Sequence, residues 1–393
     1  MSKLIGSTLL IIGTAIGGGM LALPSVTANS GFWSSSLLLV FAWCVMTIGA
    51  LLIAEVNLWL HQDNNIISMA KQTLGKSGAI VAWICYLALL YALVAAYISG
   101  GSGVVQSLFI SAKVSMPHWI NSLIFTAILG AIVWHGIRSV DHVNRVLMTI
   151  KLLALALLIL LIIPHVKTHA LTVGNTHHLL GAITVVITSF GFASNVPTLC
   201  AYVNYDAKMI RRAIIIGSVI TLSCYLIWDA VVQGSISGHW LSKIAQDSNT
   251  TAELTQALSQ ISHSSTISFS AHLFASICML TSFLGVSIGL SDFLSDGLKL
   301  KKQGNKLLIY GVTFLPPLAI ALFYPQAFIA ALSYAGIFCL ILLALLPSLM
   351  AWYGRYHKKL AKGYQVFGGK MLVMAEMIIA SVLLIIVIIQ KIH

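Results

Sequence analysis

The chain has 393 residues, of which 59% are hydrophobic and 8% are charged. Soluble domains carry about 25% charged residues, so this composition excludes a soluble fold and predicts an all-α polytopic membrane protein. The formal net charge of +12 does not indicate a nucleic-acid partner, because the basic residues fall between apolar stretches, where they orient a membrane protein.

Apolar stretches long enough to cross a bilayer as helices recur along the chain. They predict eleven spans, at residues 4–26, 32–60, 79–110, 119–136, 143–164, 178–203, 209–235, 268–297, 305–324, 326–352 and 371–391. The only long connection is the Ser/Thr-rich segment 236–267. Residues 66–75 predict a short interfacial helix that ends at Gly75.

Lys and Arg residues cluster in the connections on one side of the predicted membrane. If the N-terminus is cytoplasmic, all but four of the 22 basic residues belong to cytoplasmic segments. The exceptions are Lys113, Lys167, Lys243 and Lys391. This asymmetry supports the count of eleven spans and predicts an external C-terminus.

The first span contains four glycines within seven positions, in the sequence Gly13-Thr14-Ala15-Ile16-Gly17-Gly18-Gly19-Met20. Each glycine inside a helix costs ~1 kcal/mol relative to alanine, and a freed backbone group finds no water in hydrocarbon. The pattern predicts a helix broken at mid-membrane whose backbone binds a small zwitterion. The alternative is close packing of helices through small residues.

The sixth span has a similar interruption, from Thr188 to Pro197. Since five spans separate the starts of the two broken helices, they run in opposite directions, which is typical of an inverted five-plus-five repeat. Residues 1–164 are predicted to form the first repeat and 165–353 the second. Residues 354–393 then form a cytoplasmic loop and an eleventh helix.

The presence of ionisable residues within the spans requires an explanation, because a charge at the bilayer centre costs ~2.5–3.5 kcal/mol or more. Glu55, Asp292 and Asp296 fall near the cytoplasmic ends of spans and Asp229 near an external end, so we expect them to reach the interface or pair with loop lysines. Lys151 lies deeper, about 12 Å along its helix. It is either a proton carrier or a static lysine neutralised by carbonyl groups or an acid.

Asp292 and Asp296, four residues apart, also allow a function of another class, a membrane-embedded metal-dependent lipid transferase. The chain lacks the further aspartates and the arginine that would complete such a site. It has no nucleotide-, haem- or metal-binding motif, so we expect no cofactor. A receptor that binds a ligand without transporting it stays open.

The first span, Gly6-Ser7 followed by Gly13 to Pro24, resembles that of bacterial aromatic amino acid permeases. These are the tyrosine- and tryptophan-specific proton symporters of the hydroxy/aromatic amino acid permease family, in the amino acid–polyamine–organocation superfamily. Further matching motifs are Tyr91-Ala92-Leu93, Ala96-Tyr97-Ile98-Ser99-Gly100, Thr188-Ser189-Phe190-Gly191-Phe192, Val196-Pro197, Thr281-Ser282-Phe283-Leu284-Gly285-Val286, Thr313-Phe314-Leu315-Pro316-Pro317 and Tyr334-Ala335-Gly336.

The similarity runs from the first span to the eleventh and is strongest to the tyrosine-specific members of the family. It implies a LeuT-like fold of eleven helices in the bacterial inner (cytoplasmic) membrane, and a transporter rather than an enzyme. The implied partners are L-tyrosine or a related aromatic amino acid, protons and the lipid bilayer. The oligomeric state stays open.

The resemblance also implies that the two broken helices bind the substrate. Backbone N–H groups of Gly17 and Gly19 would take the carboxylate, and carbonyl groups near Thr14 and Ser189 would accept from the ammonium. The implied substrate-binding residues are Thr14, Ala15, Gly17, Gly18, Gly19, Met20, Tyr97, Ser189, Phe190, Gly191, Phe192 and Asn195. Phe190 and Phe192 would wall the aromatic ring or gate it from the outside, and Tyr97 matches a position that faces the pocket.

Three further residues match the coupling site of the family. Thr281 and Ser282 match residues that bind a sodium ion in sodium-coupled relatives, and Lys151 matches the lysine that takes its place in proton-coupled ones. The implied function is uptake of tyrosine by proton symport with alternating access. Sodium coupling, or a preference for tryptophan or phenylalanine, is the alternative.

The sequence departs from the family at Ala193-Ser194-Asn195, where tyrosine and tryptophan transporters usually carry His-Gly-Ser or a close relative. A histidine beside the pocket would offer a proton or a hydrogen bond to a hydroxyl. Asn195 either restores a hydrogen bond to a phenol or caps the second half of the sixth span. The departure bears on the choice of substrate and leaves the class of transporter unchanged.

Overall fold

A computed structural model of the chain describes residues 3–60, 65–111, 116–135, 137–172, 174–247, 249–261, 264–298, 305–324, 326–361 and 363–392. Within these ranges the chain is largely helical and forms no β-strand. The α-helices are α1 (Lys3–Ala15), α2 (Gly18–Thr27), α3 (Phe32–Leu60), α4 (Ile66–Ser111), α5 (His118–Trp134), α6 (Ile137–Ile162), α7 (Leu179–Ser189), α8 (Val196–Tyr202), α9 (Ala207–Ser235), α10 (Gly238–Gln246), α11 (Thr250–Gln260), α12 (Ser265–Gly297), α13 (Lys306–Phe323), α14 (Ala327–Cys339), α15 (Leu346–Trp352) and α16 (Gly369–Ile392).

Apolar helices occupy all eleven predicted windows. Among the described residues, nine helical segments are long and apolar enough to cross a membrane, and the bent pair of α1 and α2 makes a tenth. The remaining helix, α5, has 17 residues, somewhat fewer than the ~20 that a perpendicular crossing takes. The prediction of an all-α polytopic membrane protein is therefore confirmed.

Both predicted interruptions are present. α1 ends at Ala15 and α2 begins at Gly18, and the chain bends by 50° between them. In the sixth span α7 ends at Ser189, and the 3-10 turn Gly191–Asn195 separates it from α8. The glycine-rich sequences thus break their spans, as predicted.

Gly75 divides α4 into two helices. Its φ of 83° and ψ of −162° lie in a region that a residue with a side chain rarely adopts. The short helix predicted for residues 66–75 therefore ends at the expected residue, and the long membrane helix begins after it.

The two broken helices lie in the middle of the bundle. α1 packs against α9, α2 packs against α7 and α9, and α7 packs against α3 and α14. α12 packs against α4 and α6 and also contacts α2. Each break is therefore surrounded by helices from both halves of the chain.

The long connection between α9 and α12 is a packed helical hairpin. The Ser237 hydroxyl caps α10 by accepting a hydrogen bond from the Trp240 N–H, 3.4 Å away. Leu241 of α10 and Leu254 of α11 are buried, because α10 packs on α2 and α11 packs on α4 and α12. This connection belongs to the folded core beside the broken helix.

A buried ion pair fastens the connection to α16. Arg355 donates to both carboxylate oxygens of Glu55, at 2.7 Å and 2.6 Å, and to the Gly369 carbonyl at 3.1 Å. The backbone N–H of Val366 also donates to Glu55, at 2.6 Å. The expectation that Glu55 reaches the interface or pairs with a lysine is wrong, because the guanidinium fork of an arginine binds both of its oxygens.

Candidate functional site

The break in the first span is extended backbone that side chains of other helices approach closely. Gly17 has a φ of −159° and a ψ of −150°, which any residue can adopt. A side chain at Gly17 would nevertheless collide with the Ser282 hydroxyl of α12, and a Cβ on Gly18 would lie 2.7 Å from the Tyr97 ring of α4. These glycines are therefore required by the proximity of their neighbours.

Lys151 of α6 connects this break to α12. Its side chain is 1% exposed, and Nζ donates to the Ile16 carbonyl at 2.5 Å, the Gly13 carbonyl at 3.2 Å and the Thr281 hydroxyl at 3.3 Å. An ammonium group has three hydrogens, so these three acceptors satisfy it. The structure thus brings Lys151 and Thr281 together with the carbonyl groups of the broken helix, and all three acceptors are neutral.

Ser282 lies on the other side of the same break. Its hydroxyl accepts a hydrogen bond from the Gly18 N–H at 3.2 Å and also interacts with Tyr97, which is 8% exposed. Thr281 and Ser282 therefore have different contacts, since Thr281 accepts a hydrogen bond from Lys151 while Ser282 accepts one from the backbone of α2.

The second break touches the first through small residues. A Cβ on Gly19 would lie 2.9 Å from the Ser189 hydroxyl oxygen, so the ends of α2 and α7 are in contact. Beyond Ser189, the rings of Phe190 and Phe192 are buried, while Gly191 between them is half-buried. The predicted binding residues of the two spans therefore form one continuous region.

Asn195 lies at the accessible edge of this region. Its side-chain nitrogen donates to the exposed Thr14 hydroxyl at 3.2 Å. Although Asn195 precedes α8, its side chain makes no capping hydrogen bond. Asn195 therefore does not cap α8, which was one of the two roles considered for it.

Tyr225 of α9, which no sequence pattern singled out, contacts both breaks. Its hydroxyl lies 2.7 Å from the Ala15 carbonyl and 2.7 Å from the Ser189 carbonyl. The ring is fully buried and packs against Phe190, with centroids 5.0 Å apart. A phenol has one hydrogen to donate, so the two carbonyl groups share it.

Trp228, one turn further along α9, was missed as well. Its indole Nε1 donates to the Met20 carbonyl at 3.1 Å, on the other side of the break. The sequence of α9 carries no glycine cluster or motif to distinguish these two aromatic residues. A Tyr and a Trp in an apolar span predict packing as readily as a binding site.

The remaining acidic residues of the spans differ in environment. Asp296 is exposed, as expected, and Asp292 is half-buried. No group of three or more His, Cys, Asp and Glu that could hold a metal ion occurs in the described ranges.

Asp229 is fully buried, so the expectation that it reaches the interface is wrong. Glu376 of α16, which the sequence patterns did not single out, is 1% exposed, and neither of its carboxylate oxygens has a hydrogen-bond partner among the described residues.

A bundle with two broken helices in contact at its centre is the architecture of a class of secondary transporters. The fold is similar to the crystal structure of MhsT in complex with L-phenylalanine, with a TM-score of 0.69 and 14% identity, over 98% of each chain. The LeuT-like fold implied by the sequence resemblance is therefore confirmed.

The chain belongs to the tryptophan/tyrosine permease family, whose profile matches residues 1–389. It is 36% identical over 376 residues to Tyrosine-specific transport system 1 of Haemophilus influenzae, covering 94% of this chain and 93% of that one. It is 35% identical over 388 residues to the Tryptophan-specific transport protein of the same organism, with 94% and 92% covered. The protein is thus a multi-pass membrane permease of an aromatic amino acid family, as the resemblance implied.

Proposed function

We propose that the protein imports an aromatic amino acid, L-tyrosine foremost, by symport with protons. The observation that carries the proposal is the contact of the buried Lys151 ammonium with the Ile16 and Gly13 carbonyl groups and with Thr281. The names of the two Haemophilus relatives support tyrosine or tryptophan as the cargo. The basic connections support a cytoplasmic N-terminus and a periplasmic C-terminus in the bacterial inner membrane.

In this proposal the two repeats, residues 1–164 and 165–353, supply one break each. Backbone N–H groups of Gly17 and Gly19 bind the substrate carboxylate at the start of α2, where the helix dipole favours negative charge. Carbonyl groups at Thr14 and Ser189 and their neighbours Ala15 and Phe190 accept from the substrate ammonium. The side chains of Met20, Tyr97, Phe190, Phe192 and Asn195, together with Gly18 and Gly191, enclose the aromatic ring.

Proton coupling follows from the number of hydrogens on Lys151. The protonated amine bridges α1, the break and α12 through three hydrogen bonds. A neutral amine has two hydrogens and no charge, so it holds the break less firmly. Transport is coupled if the proton and the substrate both favour the same closed state, because each then increases the affinity for the other.

The test is uptake of radiolabelled tyrosine into proteoliposomes, driven by an imposed pH gradient and competed by phenylalanine, tryptophan and serine. We expect labelled tyrosine to accumulate. Unlabelled aromatic amino acids should inhibit its uptake, and serine should not. If no amino acid accumulates in response to the pH gradient, the proposal fails. If uptake depends on sodium at fixed pH, the sodium-coupled alternative replaces it.

Lys151→Ala separates coupling from binding. The variant should lose accumulation while still exchanging internal for external substrate, since the binding residues are intact. Lys243→Ala, which removes an exposed lysine of α10, is the control and should transport like the unmodified protein. Undiminished accumulation by Lys151→Ala would refute the coupling role.

A further inference from the structure

Asp229 of α9 is a fully buried carboxyl group that binds the end of the broken first helix. Its Oδ2 lies 3.2 Å from the Thr27 hydroxyl, in the last turn of α2. Gln233, one turn further along α9, donates from Nε2 to Thr27 at 2.8 Å and to Asp229 Oδ2 at 3.2 Å. The other oxygen of Asp229 is buried with no hydrogen-bond partner among the described residues.

The hydroxyl hydrogen of Thr27 has a nearer acceptor than Asp229. Thr27 Oγ1 lies 2.7 Å from the Leu23 carbonyl, against 3.2 Å from Asp229 Oδ2, so its single hydrogen points to the nearer acceptor. If Thr27 donates to Leu23, the Asp229 contact is a hydrogen bond only when Asp229 supplies the hydrogen. Thr27 then donates once and accepts twice, from Gln233 and from Asp229, so every atom of the contact is satisfied.

The charged form of Asp229 has too few donors. If Thr27 turned its hydrogen to an ionised Asp229, Oδ2 would accept two hydrogen bonds, from Thr27 and Gln233, and Oδ1 would accept none. These two bonds alone would have to stabilise a full negative charge inside the membrane. An ionised carboxylate can accept about four hydrogen bonds, and a buried one needs them or a cation. The neutral form leaves only the uncharged Oδ1 without a partner, which costs far less than a buried charge.

Asp229 is fully buried, and its hydrogen-bond partners in the described chain are the neutral side chains of Thr27 and Gln233. On its own helix and on the elements near it, the titratable residues whose side chains the structure describes are Lys208, Arg211, Arg212, Cys224 and Tyr225 of α9, Lys3 of α1, Cys44 and Glu55 of α3, Lys151 of α6, His165, Lys167 and His169 of the connection after α6, His239 and Lys243 of α10, and His272, Cys278, Asp292 and Asp296 of α12. Glu55 is paired with Arg355, and Lys151 with the first break.

We propose that Asp229 is a second proton-binding residue of this transporter, protonated on Oδ2 in the arrangement described here and donating to Thr27. Loss of this proton removes one of the two hydrogen bonds that Thr27, at the end of α2, makes with α9, and leaves the one that Gln233 donates. Lys151 and Asp229 thus act on two different points of the first span, Lys151 at the break and Asp229 at the end of α2. The consequence for transport rests on the proposed symport, while the protonation of Asp229 does not.

The test is infrared spectroscopy of the purified full-length protein in lipid nanodiscs, which detects protonated carboxyl groups by a carbonyl band that shifts in heavy water. All proteins carry Glu376→Gln, because Glu376 is, within the part of the chain that the structure describes, the other buried carboxyl group without a charged partner. We expect Asp229→Asn to remove a signal equivalent to one carboxyl group per chain. An unchanged spectrum would overturn the proposal.

Thr27→Val provides a second measurement that does not remove Asp229. Without the Thr27 hydroxyl as acceptor, the carbonyl band of protonated Asp229 should keep its intensity but shift to the frequency of a carboxyl group that donates no hydrogen bond. Thr27→Ser keeps the hydroxyl and should leave the band in place. A band that is insensitive to Thr27→Val would refute the assigned geometry. Absence of pH-driven accumulation in the unmodified protein would overturn the proposed symport while leaving this spectroscopic result intact, so the two failures are distinguishable.

Discussion

The hydroxyl of Tyr225 lies 2.7 Å from the carbonyl oxygen of Ser189, the last residue before the second break. The same hydroxyl lies 2.7 Å from the Ala15 carbonyl at the first break. One phenol therefore ties together two backbone segments that belong to different halves of the chain. Neither carbonyl has another partner within its own helix, because the helix ends there.

Tyr225→Phe should weaken transport without unfolding the protein. Removing the hydroxyl leaves two buried carbonyl groups unpaired, at a cost of about 1–3 kcal/mol each. We expect at least a ~10-fold loss of tyrosine uptake, measured against protein amount. The matched control is Tyr310→Phe, whose hydroxyl donates to the Val133 carbonyl at 2.9 Å, between α13 and α5. Equal uptake by the two variants would contradict the role of Tyr225.

Thr281→Val should reduce proton-driven accumulation, because it removes one of the three acceptors of the Lys151 ammonium. A lost hydrogen bond to a charged group costs about 1.5–3 kcal/mol, which corresponds to a change of ~10- to 100-fold. Thr281→Ser keeps the hydroxyl and should transport well. Thr313→Val is the control, since Thr313 is equally buried but bonds only to the Ile309 carbonyl of its own helix.

Gly17→Ala should lower the thermal stability of the protein, because the added methyl group would meet the Ser282 hydroxyl. The second substitution Ser282→Ala removes that oxygen and leaves a Cβ 3.6 Å away, so the double variant should recover folding. Gly285→Ala is the control, since a Cβ there meets nothing within 4 Å. The measurement is the thermal stability of each purified variant, and equal stability of Gly17→Ala and Gly285→Ala would exclude a steric requirement.

Asn195→Ala tests whether this amide recognises a phenol. If it does, the variant should lose uptake of tyrosine by ~10-fold while phenylalanine, which has no hydroxyl, is transported as before. Thr14→Val removes the hydroxyl that Asn195 contacts and serves as the control. Equal loss of both substrates would show that Asn195 does not read the phenol.

Glu55→Gln should destabilise the protein by about 3–5 kcal/mol, because it leaves the buried Arg355 without its counter-charge. The loss is measured as a lower unfolding temperature in detergent and a smaller amount of protein in the membrane. Lys358→Ala, which removes an exposed hydrogen bond to the Gln72 carbonyl, should have little effect. A Glu55→Gln protein as stable as Lys358→Ala would contradict a structural role for the pair.

Breaks and spans were predictable because they leave local signals. Glycines in an apolar run identified the interruption around Gly17, and the depth of Lys151 in its span marked it as unusual. The partners of these groups come from distant parts of the sequence. Tyr225 and Trp228 reach the breaks only because α9 packs against α1 and α2, and Arg355 meets Glu55 across 300 residues. Contacts of this kind depend on tertiary packing, which no local pattern records.

Glu55 joins α3 to both sides of the connection that precedes α16, through Arg355 and the backbone of Val366. Arg355 also donates to the Gly369 carbonyl, so the ion pair links the C-terminal part of α3 to the first residue of α16, whose outer face carries exposed Ile and Met side chains. If α3 tilts during a transport cycle, this link pulls on the start of α16. The annular lipids around α16 would then be displaced in every cycle, so bilayer thickness should influence the turnover rate.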